Sequence, residues 1–268
     1  MIRDITIGQY YPSNSIIHKL DPRVKLMGAF VYVLSLFIFR GIAGFAAVTI
    51  GLAVLIWFSK VPFRYMVKGL KAIVVILAIT AIFNLFLTPG KPLVSFWKFR
   101  ITQEGLKSAA FMMVRLTYLI LGSSVLTLTT TPNHLTDGME KSLRPLNKIG
   151  IPVHEVSMIM SIALRFIPIL VEETDKIMKA QLARGADFES GNLIKRAKSM
   201  VPLLVPLFIS AFRRANDLAM AMEARCYNGG EGRTKMKPLK YARRDAAAYS
   251  FIAVYFIGII MLRVWVQI

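Results

Sequence analysis

The sequence predicts an all-α integral membrane protein with about five transmembrane helices, and a module of one short and two long helices that is cytoplasmic or interfacial. Three observations support this fold class. Hydrophobic residues make up 55% of the 268 residues, above the roughly 45–50% of soluble domains. Five apolar runs are long enough, or nearly so, to cross a bilayer. Two long helical patterns within residues 131–245 begin apolar and become charged.

The five apolar runs have lengths of 14, 17, 16, 21 and 17 residues. A transmembrane helix needs about 20 apolar residues, with a range of about 17–25. The first and third runs therefore span only if flanking residues contribute and nearby Lys side chains extend to the interface. The runs cover residues 26–39, 42–58, 72–87, 108–128 and 246–262.

These runs divide the chain into three predicted domains. Residues 1–130 form an N-terminal four-helix membrane part, residues 131–245 form the helical module, and residues 246–268 form a C-terminal transmembrane helix. Within the module, Pro132 and Pro145 bracket a short amphipathic helix of about a dozen residues. Two long helices follow, over about 154–183 and 193–224, separated by a break at "GADFESGN".

The positive charge predicts the orientation in the membrane. The chain has 34 Lys+Arg against 15 Asp+Glu, a net charge of +19. The 59–71 loop carries four basic residues and no acidic one, and basic loops stay in the cytoplasm. We therefore expect a multi-pass protein of the cell membrane, with the N-terminus and residues 131–245 cytoplasmic. The 88–107 loop, expected outside, is an exception because it is also basic.

Several function classes are excluded by the residues that are missing from the sequence. The single cysteine and three histidines form no metal-binding pattern. The five apolar runs contain no Asp, Glu or His, whereas a membrane enzyme usually places such residues inside its spans. No phosphate-binding G-x-x-x-x-G-K-[ST] string occurs. We therefore expect no catalytic residue, no metal and no cofactor on this chain, and no ATP hydrolysis by it.

The basic run at 233–244 raises the question of an acidic partner. It directly precedes the last apolar run, where positive residues commonly anchor a helix on anionic lipid. This interpretation is favoured over a protein contact, and nucleic acid is not expected because no folded domain accompanies the run.

Two similar triplets lie 41 residues apart, each at the charged end of a long helix. A cation near a helix C-terminus is favoured by the helix dipole, by about 0.3–1 kcal/mol, so simple capping explains one such arginine. Two are better explained by binding. Each arginine follows small and apolar side chains on one helix face, and its planar guanidinium suits a carboxylate or carbonyl oxygens in a groove. The residues are Ala183, Arg184 and Gly185, and Ala224, Arg225 and Cys226.

The sequence resembles the transmembrane T component of energy-coupling factor transporters, which are ATP-driven importers of vitamins and transition-metal ions. The resemblance covers nearly the whole chain. It rests on "SIIHKLDPRVKL" near the N-terminus, on "LRFIPILVEETDKIMKAQLARG", and on "VPLLVPLFISAFRRANDLAMAMEARCY". The last two are similar to the two coupling helices of that family, so residues 131–245 are interpreted as a coupling module.

The resemblance implies a non-catalytic subunit of a prokaryotic transport complex. Its partners would be two ATP-binding cassette ATPase subunits, a heterodimer that hydrolyses ATP, and a small substrate-binding membrane S component, which can be interchangeable. The two triplets would dock into grooves on the two ATPases. Arg115, inside the fourth apolar run, would either bind a backbone carbonyl or lie at the interface with the S component.

One position departs from the family's Ala-Arg-Gly motif. Cys226 stands where Gly is usual, and its Cβ disfavours a left-handed backbone. The sequence therefore argues against a glycine-type helix stop at 226 and offers Asn228-Gly229-Gly230 instead. Two alternative functions stay open: the T subunit of a dedicated cobalt or nickel importer, and an integral membrane enzyme or scaffold.

Overall fold

The computed structural model describes residues 10–39, 41–71, 73–96, 99–188, 190–229, 236 and 238–266. Gly230 and, within the basic run at 233–244, residues 233–235 and 237 lie outside these residues. The helices in chain order are α1 (Pro22–Ile38), α2 (Ile42–Ser59), α3 (Phe63–Lys71), α4 (Val74–Leu87), α5 (Gln103–Thr129), α6 (Pro132–Leu143), a 3₁₀ helix (Arg144–Ile149), α7 (Val153–Ala183), α8 (Leu193–Ser199), α9 (Val201–Glu223) and α10 (Arg243–Val266).

The predicted all-α class is confirmed. Within the described residues, the only departure is a short antiparallel hairpin of β1 (Pro92–Phe96) and β2 (Phe99–Thr102), which joins α4 to α5. The side chain of Thr102 accepts a hydrogen bond from the Gly105 N–H at 3.0 Å. This N-cap starts α5 directly after the hairpin.

The described residues form two compact units. The first contains residues 10–141 and 239–266, and the second contains residues 142–238. The core of the first unit lies between α1, α2, α3, α5 and α10, and includes Leu36, Leu52, Met66, Leu121 and Ile259. Around it the surface is strongly apolar: α4 has no buried residue and exposes 67% of Val75. Lipid contact explains such a surface on a membrane protein.

The start of α1 is fixed to the start of α10 by a network of two carboxylates. Asp21 caps α1 by accepting the Arg23 N–H at 2.9 Å, and it forms an ion pair with the Arg23 guanidinium at 2.9 Å. The buried Asp245 accepts the backbone N–H of Asp21 at 2.9 Å and that of Ala242 at 2.7 Å. Arg23 also lies over the ring of Tyr241, 3.8 Å from its centroid. The "HKLDPRVKL" stretch thus joins the two ends of the first unit.

Arg115 of α5 is held by the end of α1. Its Nη2 donates to the carbonyl of Phe39 at 2.8 Å, and its guanidinium lies 5.6 Å from the Phe37 ring centroid. The last carbonyls of a helix lack partners within the helix, so a guanidinium can bind one. Of the two interpretations of Arg115, the structure confirms binding to a backbone carbonyl.

The second unit contains the two long helical patterns. The first forms one helix, α7, as predicted. The second does not, because the chain breaks at Met200 into α8 and α9. Pro202 lies in the first turn of α9, where a missing N–H costs nothing, whereas inside a continuous helix it would remove a hydrogen bond. The prediction of one helix over 193–224 was therefore wrong at this point.

Three of the described helices are long and apolar enough to cross a membrane, by length and composition: α5, α7 and α10 over Arg243–Trp265. A fourth is counted if α3 and α4 form one broken span. The prediction gave about five and included α1 and α2. α1 has 17 residues, two of them the charged Arg23 and Lys25, so it falls below the required length. The predicted membrane class is confirmed, with a smaller set of qualifying helices.

α7, which qualifies as a possible membrane span, is also the first long helix of the predicted coupling module. Its N-terminal half is apolar, with Ile159 63% exposed. Length and composition do not distinguish a helix that crosses the membrane from one that lies against it. The division into domains at 130 and 245, and the cytoplasmic side of the module, therefore stay predictions.

Candidate docking site on the paired helices

The first candidate tip, Ala183 to Gly185, follows the end of α7. Gly185 has φ 86°, in the left-handed region. Its N–H donates to the Leu182 carbonyl at 3.0 Å, and the Ala186 N–H donates to the Gln181 carbonyl at 3.0 Å. These two bonds form a Schellman motif, which satisfies the last carbonyls of a helix. The motif ends α7 directly at Arg184.

The second candidate tip, Ala224 to Cys226, has the same backbone geometry. Cys226 has φ 56°, its N–H donates to the Glu223 carbonyl at 2.8 Å, and the Tyr227 N–H donates to the Met222 carbonyl at 3.0 Å. The expectation that Cys226 would not serve as a glycine-type stop was wrong. The two hydrogen bonds of the motif hold the cysteine in a conformation that its Cβ disfavours by roughly 1–2 kcal/mol.

All six predicted tip residues are exposed in this structure. At both tips an arginine directly precedes the left-handed residue. The preceding residue is an alanine in each case, so the backbone around the guanidinium carries little side-chain bulk. The structure therefore places both arginines on accessible helix ends of equal geometry, which is what binding to an acceptor group requires.

The two helices that carry the tips run antiparallel. Near the end of α7, the Gln181 amide donates to the carbonyl of Pro202 at the start of α9, at 3.3 Å. Eight residues earlier on α7, Glu173 contacts Arg214, which is twelve residues further along α9. Chain direction is thus opposite in the two helices. The tips consequently lie at opposite ends of the pair.

A polar cluster joins the two helices between the tips; we call Glu173, Ser210 and Arg214 the crossing cluster. The Arg214 Nη2 donates to Glu173 Oε2 at 2.8 Å and its Nε to the same oxygen at 3.2 Å. The Ser210 hydroxyl donates to Glu173 Oε1. The side chains of Arg214 and Glu173 are 38% and 23% exposed. An ion pair this accessible is worth about 1 kcal/mol or less, so it orients the helices more than it stabilises them.

The crossing cluster lies midway between the tips. Arg184 is 11 residues after Glu173, and Arg225 is 11 residues after Arg214. At a rise of 1.5 Å per residue, each arm is about 16 Å long, and the tips lie up to about 33 Å apart. The two arms thus have equal length.

Sequence reasoning missed this cluster, although a signal was present. Glu173 and Arg214 are 41 residues apart, the same separation as Arg184 and Arg225. Extending the repeat backward from the tips would have paired these two opposite charges. The pairing was not apparent because a 41-residue offset does not specify that the helices are antiparallel.

Neither unit shows a metal site within the described residues, where no three His, Cys, Asp or Glu side chains come together.

The fold and the candidate site define a class: an all-helical integral membrane protein that presents two equivalent arginine tips at opposite ends of an antiparallel helix pair.

The comparisons with known proteins agree with this class. A family model described as CbiQ, cobalt transport protein, matches residues 13–236. The energy-coupling factor transporter transmembrane protein EcfT of Clostridium kluyveri is 57% identical over 268 residues, 99% of each chain. Proteins of the same name are 51% identical in Thermosediminibacter oceani, over 98% of this chain and 100% of the relative, and 47% identical in Bacillus subtilis, over 92% and 94%.

The chain belongs to the CbiQ family, and its relatives are transmembrane proteins of energy-coupling factor transporters. The predicted resemblance is confirmed. This chain is a membrane component of a bacterial transporter, and the names of its relatives mention no catalytic activity.

Proposed function

We propose that this chain is the coupling subunit of an energy-coupling factor importer. In this role it transmits the motion of two cytoplasmic ATPase subunits to a membrane S component that binds a vitamin or a related micronutrient. The observation that carries the proposal is the equal geometry of the two tips at opposite ends of one helix pair. A single docking partner needs one tip, whereas two equivalent exposed tips up to about 33 Å apart suit two related partners.

At each tip, the arginine is the docking group. Its guanidinium carries five donors in a planar fork, which matches a carboxylate or a pair of carbonyls in a partner's groove. The Schellman motif fixes the backbone directly beside the arginine, so little conformational entropy is lost on binding. ATP is bound and hydrolysed by the partners, and this chain contributes position and leverage only.

The crossing cluster gives the helix pair a pivot. When the ATPase subunits close on ATP, each pulls one tip, and α7 and α9 change their crossing angle around Glu173 and Arg214. The exposed apolar side chains of the same helices, among them Phe208 at 67% exposure, then act on the S component or the surrounding lipid. In this arrangement the N-terminus and residues 131–245 are cytoplasmic.

The test is the double variant Arg184→Ala/Arg225→Ala, measured in vesicles that contain the complete transporter. We expect uptake to be abolished and ATPase subunits to be lost on purification, with unchanged membrane insertion. The matched control is Lys179→Ala/Arg213→Ala, which removes two exposed cations from the same helices away from the tips. Normal uptake by the tip variant, or equal loss in the control, would sink the proposal.

A second candidate is favoured by the description of the matching family model as a cobalt transport protein. In that case the chain would serve a dedicated cobalt or nickel importer with one fixed S component. Gentle purification of the tagged chain separates the two. A shared module retains two different ATPases and several small membrane proteins, whereas a dedicated importer retains one ATPase species and one S component.

A further inference from the structure

An apolar groove with a volume of about 450 Å³ lies within the first unit, between α1, α2, α5 and α10. The volume falls in the range of roughly 300–1,000 Å³ that is typical of small-molecule sites. The wall of the groove is almost entirely apolar. Its surroundings are membrane-forming helices, since both α5 and α10 qualify as spans.

The groove has two distinct ends. One end lies where α1 and α10 begin and where α5 ends, marked by Lys25, Arg244 and Thr129. The other lies deep in the bundle, marked by Tyr32 and Tyr255. From Arg244 to Tyr255 is 11 residues of α10, or about 16 Å of helix. This length is about half of the ~30 Å hydrocarbon core, which is the length of the acyl chains of one leaflet.

The end at Lys25 and Arg244 is cationic. Lys25 donates through Nζ to the carbonyls of His18 at 3.1 Å and Thr129 at 2.9 Å, and a Lys ammonium has a third hydrogen to donate. Arg244 is exposed. The lining contains no acidic residue. The two nearby carboxylates, Asp21 and Asp245, are held by Arg23 and by backbone N–H groups.

The two hydroxyl groups at the deep end already have hydrogen-bond partners. The Tyr32 hydroxyl donates to the Tyr118 carbonyl at 3.0 Å, and the Tyr255 hydroxyl is bonded to Ser35 at 3.0 Å. At the opposite end, the Thr129 hydroxyl likewise donates to the Val125 carbonyl at 2.7 Å. An occupant must therefore be apolar along one leaflet and anionic at the basic end.

We propose that this groove binds one anionic phospholipid, with an acyl chain between α1, α2, α5 and α10 and the phosphate at Lys25 and Arg244. The bound lipid would fill the gap in the bundle beside the α1–α10 junction. Because the groove shares no residue with either tip, the proposal stands apart from ATPase docking.

The test compares the purified full chain in mixed micelles that contain dioleoyl-phosphatidylglycerol or dioleoyl-phosphatidylcholine. We expect the anionic lipid to raise the Tm by several degrees more than the zwitterionic one, and native mass spectrometry to show one retained lipid. Arg244→Gln should remove the difference between the lipids, whereas Arg243→Gln, which changes the same charge outside the lining, should not.

A second pair of variants tests the groove itself. Ala248→Phe fills the groove and should eliminate the retained lipid, whereas Ala246→Phe on the same helix lies outside the lining and should not. Equal stabilisation by the two lipids, or a retained lipid in Ala248→Phe, would overturn the proposal. So would a small membrane protein that copurifies with wild type and is lost in Ala248→Phe, because the groove would then belong to a protein partner.

Discussion

At the scale of single residues, Cys226 shows how local hydrogen bonding overrides a residue's conformational preference. A residue with a Cβ rarely takes a positive φ, yet Cys226 does so at 56°. The hydrogen bonds from Cys226 and Tyr227 to the last turn of α9 compensate for this conformation. Gly185 takes the same place on α7 without that cost, so the two tips differ in stability more than in shape.

Replacing Cys226 with Gly should therefore stabilise the protein. Glycine adopts the left-handed conformation without the roughly 1–2 kcal/mol that it costs an L-residue, so we expect a higher Tm in detergent and normal ATPase docking. The β-branched Cys226→Val should lower both, because branching at Cβ makes this region more costly. A lower Tm for Cys226→Gly would show that the cysteine side chain has a role of its own.

His18 is the second residue whose state depends on its surroundings. Its Nε2 donates to the Tyr11 carbonyl at 2.9 Å, so in the neutral ring Nδ1 accepts from the Ser15 hydroxyl at 2.6 Å. Burial is the largest effect and lowers the pKa of His18; the hydrogen bond to the Tyr11 carbonyl opposes it, and the Lys25 ammonium lowers the pKa further. The folded protein therefore prefers the neutral ring.

This preference predicts a loss of stability on acidification. Because the pKa of His18 is lower in the folded chain than its ordinary value of 6.5, the unfolded chain binds the proton first, and stability decreases as pH falls below about 6.5. We expect the Tm of the wild type to drop more between pH 7.5 and 5.5 than that of His18→Gln, which cannot titrate. Parallel pH profiles of the two proteins would contradict this expectation.

At the scale of elements, the antiparallel pairing of α7 and α9 matters more than the helices themselves. Both helices begin apolar and end charged, which alone suggests two tips on the same side. The contacts from Gln181 to Pro202 and from Glu173 to Arg214 instead place the tips at opposite ends. The helix lengths then determine how far apart two partners can dock.

Charge exchange at the crossing cluster tests the pivot. Glu173→Arg or Arg214→Glu places two like charges together and should reduce uptake, while the stability changes by only about 1 kcal/mol. The double exchange Glu173→Arg/Arg214→Glu should restore most of the uptake. Glu172→Arg/Arg213→Glu is the matched control, since these exposed residues have the same 41-residue separation and should leave uptake unchanged in all combinations. Failure of the double exchange to rescue would argue against an ion-pair pivot.

At the scale of the whole molecule, orientation follows from charge rather than from the fold. The basic 59–71 loop and the net charge of +19 predict that the N-terminus and the helix pair face the cytoplasm. The basic 88–107 loop is the one segment that opposes this assignment. Loop charge determines orientation while the chain inserts into the membrane, and helix packing does not record it. Orientation must therefore be measured in membranes.

The single exposed cysteine makes that experiment direct. A membrane-impermeant maleimide should leave Cys226 unlabelled in intact cells that lack the ATPase subunits, and label it in inside-out vesicles. In a Cys226→Ser background, Lys91→Cys in the opposite loop should show the reverse pattern, since Lys91 is exposed. Labelling of Cys226 in intact cells would invert the predicted topology.

The sequence by itself determined the membrane class, most of the helices and both arginine tips. These features depend on local composition, periodicity and helix-end residues, which can be read along the chain. It did not give the break at Met200, because Pro202 is equally compatible with a kinked helix and with a new start. The function was predicted from the family resemblance, and these local features are compatible with it.

Only the tertiary structure decided which distant residues meet. Asp245 and Asp21 are 224 positions apart, and no periodicity links a buried carboxylate to a particular N–H. Two other features likewise depend on how helices pack. They are the antiparallel crossing at Glu173 and Arg214, and the apolar groove between α1, α2, α5 and α10. Helix packing is set by the fit of many side chains at once, whereas each helix and helix end depends on a few neighbouring residues. The sequence therefore predicted the helices and their ends but not the contacts between them.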